Sequence, residues 1–337
     1  MDRASSDTSP VISLVVPFYN EEGNLSAFYD RVREALAEVD ISWELVFVND
    51  GSSDDSLVEA VGLHKAHDEV KVINLSRNFG KEIALSAGLD FARGDAVIQI
   101  DADLEHPPEA MVELIQKWRE GYQIVFATRE SRAVEPLLKR IGARAYYSIF
   151  GWLSNIQNHD KIGDFCLLDR QVVDTLIEFP EHNRFMKGLV AWTGFKQGFV
   201  TYELGRRSTG ISKWNYWRLW NFALEGITSF SSLPLKLWTY VGVVVAFLAF
   251  FYTAFIVVRT LIFGIDVPGY ASLISIMLFI GGVQLIGLGV LGEYVGRIYT
   301  EVKNRPLYII QESYGFDSAG EADPVREPGF ENVRRIR

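Results

Sequence analysis

Residues 96–109 read AVIQIDADLEHPPE and contain a strand, a loop and the start of a helix. The first five residues form an apolar run that is typical of a buried strand. Asp101-Ala102-Asp103 follows at the carboxyl end of that run. Because proline suits the first turn of a helix, Pro107-Pro108 predicts a helix that continues to about Glu120. This stretch therefore predicts one strand–loop–helix unit with two carboxylates in its loop.

The same alternation of strand and helix occurs on both sides of this unit. Apolar runs predict four more strands, and segments with helical spacing predict three more helices. Such a series is typical of an α/β fold with a mostly parallel sheet and helices on both faces. The further strands are Val11–Val16, Trp43–Val48, Val70–Leu75 and Ile124–Thr128, and the further helices are Glu22–Val39, Asp54–His67 and Lys81–Phe91.

The composition excludes several classes of protein. The chain has 337 residues, of which 48% are hydrophobic, so it can bury a substantial core. A single cysteine, Cys166, excludes an internal disulfide framework and a multi-cysteine metal site. The formal net charge of −10 disfavours nucleic acid as a partner. Residues 1–10 are polar, so we expect a disordered N-terminus and no signal peptide.

Two charge-free segments predict a membrane hairpin. Leu237–Val258 has 22 residues and Tyr270–Gly292 has 23. A helix of that length spans roughly 33 Å, which matches a hydrocarbon core of about 30 Å. Lysines and arginines flank the pair, whereas the linker has no net charge. The positive-inside rule then places both termini in the cytoplasm and predicts a multi-pass protein of the cell (inner) membrane. The alternative is two buried helices of a soluble core.

Aromatic and basic residues are mixed in two further segments, 132–154 and 212–232. Such a mixture is typical of amphipathic helices at a membrane surface. The alternative is ordinary helices that pack on the domain. Glycines are frequent in the second span, which is compatible with a homo-oligomer as well as with a monomer. The expected organisation is a cytoplasmic α/β domain at 11–210 with an interfacial helix at 132–154, a juxtamembrane helix at 211–234, the two spans within 235–297, and a partly disordered cytoplasmic tail at 298–337.

Polar clusters follow four of the predicted strands. In sheets of this kind, ligands bind beyond the carboxyl ends of the strands, so these clusters should meet at one edge. No Gly-x-Gly-x-x-Gly follows the first strand and the chain has no P-loop, which disfavours a dinucleotide-binding fold and a P-loop kinase. The clusters are Tyr19-Asn20-Glu21, Asn49-Asp50, Ser76-Arg77-Asn78 and Asp101-Ala102-Asp103.

Asp101 and Asp103 are two positions apart, so they share one face of a regular strand. Their carboxylates can approach one hard cation such as Mg²⁺ or Mn²⁺, which prefers oxygen ligands and often binds phosphate as well. The alternative is a solvated turn, because Asp-x-Asp is a common pattern. The position beside three other polar clusters favours a metal site.

Seven motifs occur in order along the chain: VVPFYNEEGNL (15–25), VNDGSSDDS (48–56), NLSRNFGKEIALSAGLDFARGD (74–95), DADLEHPPE (101–109), GDF (163–165), RFMKGL (184–189) and SKWNYWRLWNFAL (212–224). With these motifs the chain resembles family 2 glycosyltransferases with the nucleotide-sugar-binding GT-A fold. More narrowly, it is similar to polyprenyl-phosphate glycosyltransferases such as bactoprenol glucosyltransferases and dolichol-phosphate mannose synthases. The resemblance runs from about Val11 to Pro306 and includes the predicted hairpin.

The resemblance implies catalytic roles for Asp164, Asp103 and Arg207. Asp101 and Asp103 would hold the metal on the donor diphosphate, with Glu105 as a further ligand at a position where relatives commonly carry Gln. Asp164 is the implied catalytic base. Since a phosphate monoester has a second pKa near ~6 and is already largely anionic at neutral pH, Asp164 could instead orient the acceptor or complete the metal site.

Other residues are implied to bind the donor or a phosphate. Lys81 would either contact the donor phosphates or pair with Glu82 or another neighbour. The implied nucleotide pocket is lined by Pro17, Tyr19, Glu21 and Asp50. The implied phosphate contacts are Arg129, Arg132, Arg207 and Lys213, because a basic side chain pairs well with phosphate oxygens.

The reaction implied by the resemblance is metal-dependent, inverting transfer of a hexose from a nucleotide diphosphate sugar to a polyprenyl phosphate. UDP-glucose is the first expectation, and UDP-N-acetylglucosamine, UDP-galactose, GDP-mannose and a modified arabinose remain open. A processive polysaccharide synthase is disfavoured because the chain lacks a Gln-x-x-Arg-Trp motif and further spans. A non-catalytic membrane scaffold and a small transporter are the remaining alternatives, and two spans are few for a transport path.

Overall fold

The computed structural model describes residues 11–39, 41–129, 163–182, 184–202, 233–263 and 269–316. The chain divides into two compact units. The first contains the described residues from 11 to 202 together with 305–316, and the second contains those from 233 to 304. The predictions for residues 1–10 and 132–154, and for all but the end of 211–234, lie outside the described residues.

The first unit is built on one sheet. Its strands are β1 (Ile12–Phe18), β2 (Trp43–Asn49), β3 (Val70–Leu75), β4 (Ala96–Gln99), β5 (Ile124–Arg129), β6 (Cys166–Asp169), β7 (Gln197–Tyr202) and β8 (Ile310–Tyr314). Their order in the sheet is β7-β5-β6-β4-β1-β2-β3-β8. The pairs β1–β2, β1–β4, β2–β3 and β5–β7 are parallel, whereas β6 is antiparallel to β4 and β5, and β8 is antiparallel to β3. The predicted α/β fold with a mostly parallel sheet is confirmed.

Helices cover both faces of this sheet. Alternate residues of a strand point to opposite sides, so neighbouring residues of one strand contact different helices. Leu14 of β1 belongs to a buried cluster with Phe28 and Met111. On the opposite face a helix approaches β1 so closely that a Cβ at Gly88 would overlap the side chain of Val15. The helices described in this unit are α1 (Leu25–Ala37), α2 (Ser56–Ala66), α3 (Lys81–Phe91), α4 (Ala110–Arg119), α5 (Arg170–Ile177) and α6 (Met186–Trp192).

The predicted strands and helices between residues 11 and 129 are all present, with ends that differ by at most three residues. The sequence patterns do not predict β6, β7 or β8. Strand β6 is only four residues long and runs antiparallel to β4, with Cys166 opposite Gln99. Because of this direction, the residues that precede β6 lie beside those that follow β4. This pairing brings Asp164 to the edge of the sheet that carries Asp101.

Two long helices form the second unit, α7 (Leu233–Phe263) and α8 (Tyr270–Val302). They approach each other where the ring of Trp238 lies 3.7 Å from the position that a Cβ at Gly287 would take. Within the described residues, one stretch is long and apolar enough to cross a membrane by length and composition, the 24 residues Phe279–Val302 with a mean hydropathy of 1.4. It overlaps the predicted span at 270–292. The predicted span at 237–258, and with it the membrane hairpin, stays a prediction.

Candidate active site

The polar loops that follow β1 and β2 are bound to each other. The backbone N–H of Asn20 donates to Oγ of Ser52 (3.0 Å), and Oδ1 of Asn20 accepts from the backbone N–H of Ser53 (2.8 Å). The backbone N–H of Glu21 donates to Oγ of Ser56 (2.8 Å) in the same way. The structure therefore holds these two loops side by side at the carboxyl edge of the sheet.

Asp50 connects this edge to the loop that enters α3. Its two carboxylate oxygens accept from the backbone N–H groups of Phe79 (2.7 Å) and Gly80 (2.9 Å). Burial raises the pKa of Asp50, and these hydrogen bonds and Arg77 offset only part of that effect. Asp50 thus positions the loop from which Lys81 extends, and its predicted contact with a nucleotide stays a prediction.

Four side chains of alternating charge form the centre of the site. Nζ of Lys81 lies 2.7 Å from both carboxylate oxygens of Asp101 and 3.4 Å from Oδ2 of Asp164. Oδ1 of Asp164 lies 3.0 Å from Nζ of Lys187. The series Asp101–Lys81–Asp164–Lys187 therefore links the end of β4, the start of α3, the turn before β6 and the first turn of α6.

The two lysines keep Asp164 in its charged form. Burial alone would raise the pKa of Asp164, but Lys187 and Lys81 outweigh burial and hold that pKa below its usual value. Burial would also lower the pKa of Lys81, yet Asp101 and Asp164 raise it above its usual value. A carboxylate with a lowered pKa is a weak proton acceptor. Asp164 thus bonds to two ammonium groups, and its role as a general base or as an orienting group stays a prediction.

More carboxylates surround the Asp101 end of this series. Asp103 accepts from the backbone N–H of Glu105 (2.9 Å), a turn in which Leu104 has a φ of +58°. Burial raises the pKa of Asp103, and the negative charges of Asp101 and Glu105 add to the increase. Burial also raises the pKa of Glu21, with further contributions from Asp103 and Asp101. This part of the edge is therefore strongly negative.

The carboxylate oxygens at this edge are suitable ligands for a divalent cation, because Mg²⁺ and Mn²⁺ prefer oxygen ligands. A cation between Asp101 and Asp103 would relieve their mutual repulsion. Among the described residues, however, no three His, Cys, Asp or Glu side chains are grouped so that they could hold a metal ion. The residues present fit a cation that takes two carboxylates from the chain and its other ligands from a diphosphate. Glu105 as a third ligand stays a prediction.

Comparison with known proteins identifies the family. The profile of glycosyl transferase family 2 matches residues 13–177. An SfII prophage-derived bactoprenol glucosyl transferase of Shigella flexneri is 49% identical over 305 residues, which cover 90% of this chain and 98% of that protein. The chain belongs to glycosyl transferase family 2. It is a glycosyltransferase, and the family resemblance predicted from the motifs is confirmed.

Further similarities extend over most of this glycosyltransferase. A glycosyltransferase of Synechocystis is 52% identical over 306 residues, 91% of this chain and 96% of that protein. A second profile, the GtrB C-terminal hairpin, matches residues 233–298, which contain α7 and most of α8. The crystal structure of mannosyl-3-phosphoglycerate synthase from Rubrobacter xylanophilus is 17% identical, with a TM-score of 0.47 over 65% of this chain and 72% of that one.

The other predicted site residues of the glycosyltransferase are distributed as follows. Pro17 is buried in β1, Tyr19 is 47% exposed just after it, and Arg129 is the last residue of β5, opposite Tyr202 of β7. Arg132, Arg207 and Lys213 lie outside the described residues. The structure thus brings Glu21, Lys81, Asp101, Asp103 and Asp164 into one electrostatically linked group.

Sequence reasoning did not assign Lys187 to the site, and it named Glu82 only as a possible partner of Lys81. Oε2 of Glu82 accepts from the backbone N–H of Met186 (3.2 Å), so it fixes the start of the helix that carries Lys187. Burial, followed by the charge of Asp164, raises the pKa of Glu82 to about 7, although Lys81 and Lys187 oppose the increase. The RFMKGL motif at 184–189 contains Lys187 and was the available signal. Its spacing along the chain does not show that Lys187 lies beside Asp164.

A small cavity lies behind Asp164 and Lys187 and is also lined by Gln99 and Cys166. Within the described part of the chain, Nε2 of Gln99 is buried and has no hydrogen-bond partner. Burial raises the pKa of the Cys166 thiol, and a thiol that stays protonated is a poor nucleophile.

Proposed function

We propose that this glycosyltransferase transfers a hexose from a nucleotide diphosphate sugar, with UDP-glucose as the favoured donor, to a polyprenyl phosphate in the membrane. The observation that carries the proposal is the 49% identity, over 90% of the chain, to a protein named bactoprenol glucosyl transferase. The arrangement of Asp101, Asp103, Lys81 and Asp164 at the carboxyl edge of the sheet supports it.

On the donor side, Asp101 and Asp103 would hold Mg²⁺ or Mn²⁺ against the diphosphate. The cation would neutralise negative charge on the leaving nucleoside diphosphate. Tyr19 is exposed at this edge and is available to a nucleotide, whereas Asp50 acts through the loop that it holds. The remaining residues proposed for the nucleotide and phosphates are Pro17, Glu21, Arg129, Arg132, Arg207 and Lys213.

On the acceptor side, the nucleophile is an oxygen of the polyprenyl phosphate, which attacks the anomeric carbon while the bond to the diphosphate breaks. That oxygen needs no deprotonation, since a phosphate monoester is largely dianionic at neutral pH. Asp164 is held ionised between two lysines. Its proposed role is to position Lys81 and Lys187 beside the reacting groups, and much of the rate enhancement would come from positioning.

The membrane part of the proposal concerns α7 and α8. We propose that both helices cross the bilayer, at 237–258 and 270–292, with the domain at 11–210 in the cytoplasm. The match of residues 233–298 to the GtrB C-terminal hairpin supports this, as does the apolar stretch Phe279–Val302. The flanking lysines and arginines favour cytoplasmic termini.

The test uses membranes that contain the full chain, a polyprenyl phosphate and a panel of labelled nucleotide sugars. The expected result is a labelled lipid from UDP-glucose that disappears on chelation and returns with Mg²⁺ or Mn²⁺. Asp103→Asn should abolish it, whereas Asp68→Asn, at an exposed position before β3, should not. If labelled lipid forms only from a different nucleotide sugar, that sugar would replace UDP-glucose as the proposed donor. No labelled lipid from any sugar would overturn polyprenyl phosphate as the acceptor.

A further inference from the structure

The ammonium group of Lys81 lies directly in front of the Asp101 carboxylate. Its Nζ is 2.7 Å from Oδ1 and 2.7 Å from Oδ2. This is the position from which a cation contacts both oxygens of a carboxylate. Asp101 therefore already has a cationic partner, and that partner is part of the chain.

Lys81 also has a second carboxylate within reach. Oδ2 of Asp164 lies 3.4 Å from the same Nζ, while Oδ1 of Asp164 is held by Lys187 at 3.0 Å. The lysine side chain is flexible and 40% exposed, so a rotation of this side chain can exchange Asp101 for Asp164 as its main partner. Asp164 is kept in place by Lys187 during such a movement.

The surrounding charge explains why a cation is needed at Asp101. The negative charges of Asp101 and Glu105 act on Asp103, and those of Asp101 and Asp103 act on Glu21. Lys81 is the positive group bonded to Asp101. Without a cation the cluster would repel itself strongly.

We propose that Lys81 is a built-in occupant of the cation position on Asp101, which a divalent metal displaces towards Asp164 when the donor binds. This inference rests on the proposed function, because it takes Asp101 as a metal ligand. It adds a competition between Lys81 and the metal for the Asp101 carboxylate, which the proposed function does not contain. Metal alone displaces an ammonium group that then has only Asp164 as a partner, whereas a diphosphate that binds with the metal gives the released ammonium group a second anionic partner.

Two consequences distinguish this arrangement from a lysine that only contacts phosphate. Metal should bind weakly without nucleotide, and nucleotide should increase metal affinity by a large factor. When Lys81 is removed, metal alone should bind more tightly and the factor contributed by nucleotide should decrease. Coupling between two ligands is reciprocal, so either affinity reports it.

The experiment measures Mn²⁺ binding to the full chain in detergent by the electron paramagnetic resonance of free Mn²⁺, with and without UDP. Lys81→Met should bind Mn²⁺ alone at least ~10-fold more tightly than the wild type, equivalent to about 1.4 kcal/mol. The increase in Mn²⁺ affinity caused by UDP should be smaller in Lys81→Met than in the wild type. Lys187→Met is the matched control, since it removes the same charge from the series without contacting Asp101, and should change Mn²⁺ affinity less than ~3-fold, or under about 0.7 kcal/mol.

The outcomes separate this inference from the proposed function. Mn²⁺ affinity that is unchanged or weaker in Lys81→Met, or increased equally in Lys187→Met, would overturn the role of Lys81. Asp101→Asn should weaken Mn²⁺ binding. If it does not, Asp101 is not a metal ligand, and both the metal site and the role of Lys81 are wrong, even if sugar transfer to lipid is observed. Circular dichroism of each variant checks that it is folded.

Discussion

The hydroxyl group of Tyr308 donates a 2.6 Å hydrogen bond to the carboxylate of Asp90, a residue 218 positions earlier in the chain. Asp90 is in α3, the helix that begins with Lys81, and Tyr308 is buried just before β8. The backbone N–H of Ser76 donates to the carbonyl of Ile309 (2.9 Å) beside it. The segment after α8 is thus an integral part of the first unit and supports the helix that begins with Lys81.

Tyr308→Phe should destabilise the first unit by about 1–3 kcal/mol, because it leaves the half-buried carboxyl group of Asp90 without its hydroxyl donor. Burial already raises the pKa of Asp90 to about 6, against the lowering effect of Tyr308 and Arg184. Hydrogen exchange of β8 and α3 measures the effect locally. Tyr314→Phe is the control, because its partner Glu312 is exposed, and it should change exchange little. Equal effects of both variants would contradict the prediction.

Gly51→Ala should destabilise the edge of the sheet and lower activity. Gly51 has a φ of +69°, and a Cβ there would lie 2.5 Å from the carbonyl carbon of Arg77. The loop at 77–80 would have to shift, which would disturb its hydrogen bonds to Asp50. We expect a loss of at least ~1 kcal/mol in thermal or denaturant unfolding.

Gly62→Ala is the matched control for that substitution. Gly62 lies within α2 and has nothing within 4 Å of its Cβ position among the described residues. Alanine is the better helix former, so this variant should be neutral or more stable by up to ~1 kcal/mol. A Gly51→Ala protein as stable and active as Gly62→Ala would show that the close approach to Arg77 is unimportant.

Glu82→Gln should alter how stability depends on pH. Burial raises the pKa of Glu82 from its ordinary value of 4.5 to about 7. Between these values the folded chain binds a proton that the unfolded chain has released, so this group's contribution to stability falls as pH rises from 4.5 to 7. Glutamine cannot ionise and retains an oxygen for the N–H of Met186. The variant should therefore gain stability relative to wild type between pH 5 and pH 8.

The melting temperatures of the two proteins across pH 5–8 measure this effect. Glu113→Gln, at an exposed position of α4, serves as the control and should shift the melting temperature equally at every pH. A difference between Glu82→Gln and wild type that stays constant from pH 5 to pH 8 would show that Glu82 does not titrate in this range.

Asp164→Asn should lower turnover at least ~10-fold while changing UDP affinity less than ~3-fold, because it removes the anchor of two ammonium groups and leaves the nucleotide pocket intact. Since the lysines keep its pKa low, the wild-type rate should show no rise from the ionisation of Asp164 above pH 5. Asp30→Asn, on an exposed face of α1, is the control. Unchanged turnover in Asp164→Asn would remove this residue from the site.

Much of the site could be predicted because its signals are local. Apolar runs ended by polar residues located β1 to β4, and the positions just after them contain Glu21, Asp50 and Asp101. Lys187 could not be predicted in this way. Its contact with Asp164 depends on the antiparallel pairing of β6 with β4 and on the packing of α6, neither of which has a local pattern.

The amino-acid sequence by itself determined the α/β alternation, the edge at which polar loops collect, the position of Asp101 and Asp103 at that edge, and the family. These follow from periodicity and from residue types that are close along the chain. Only the tertiary structure decided that Lys81 bonds to Asp101, that Asp164 is held between two lysines, and that Tyr308 reaches Asp90. The physical reason is that these partners are brought together by strand pairing and burial between distant segments, and several of the elements involved are too short to have a recognisable pattern.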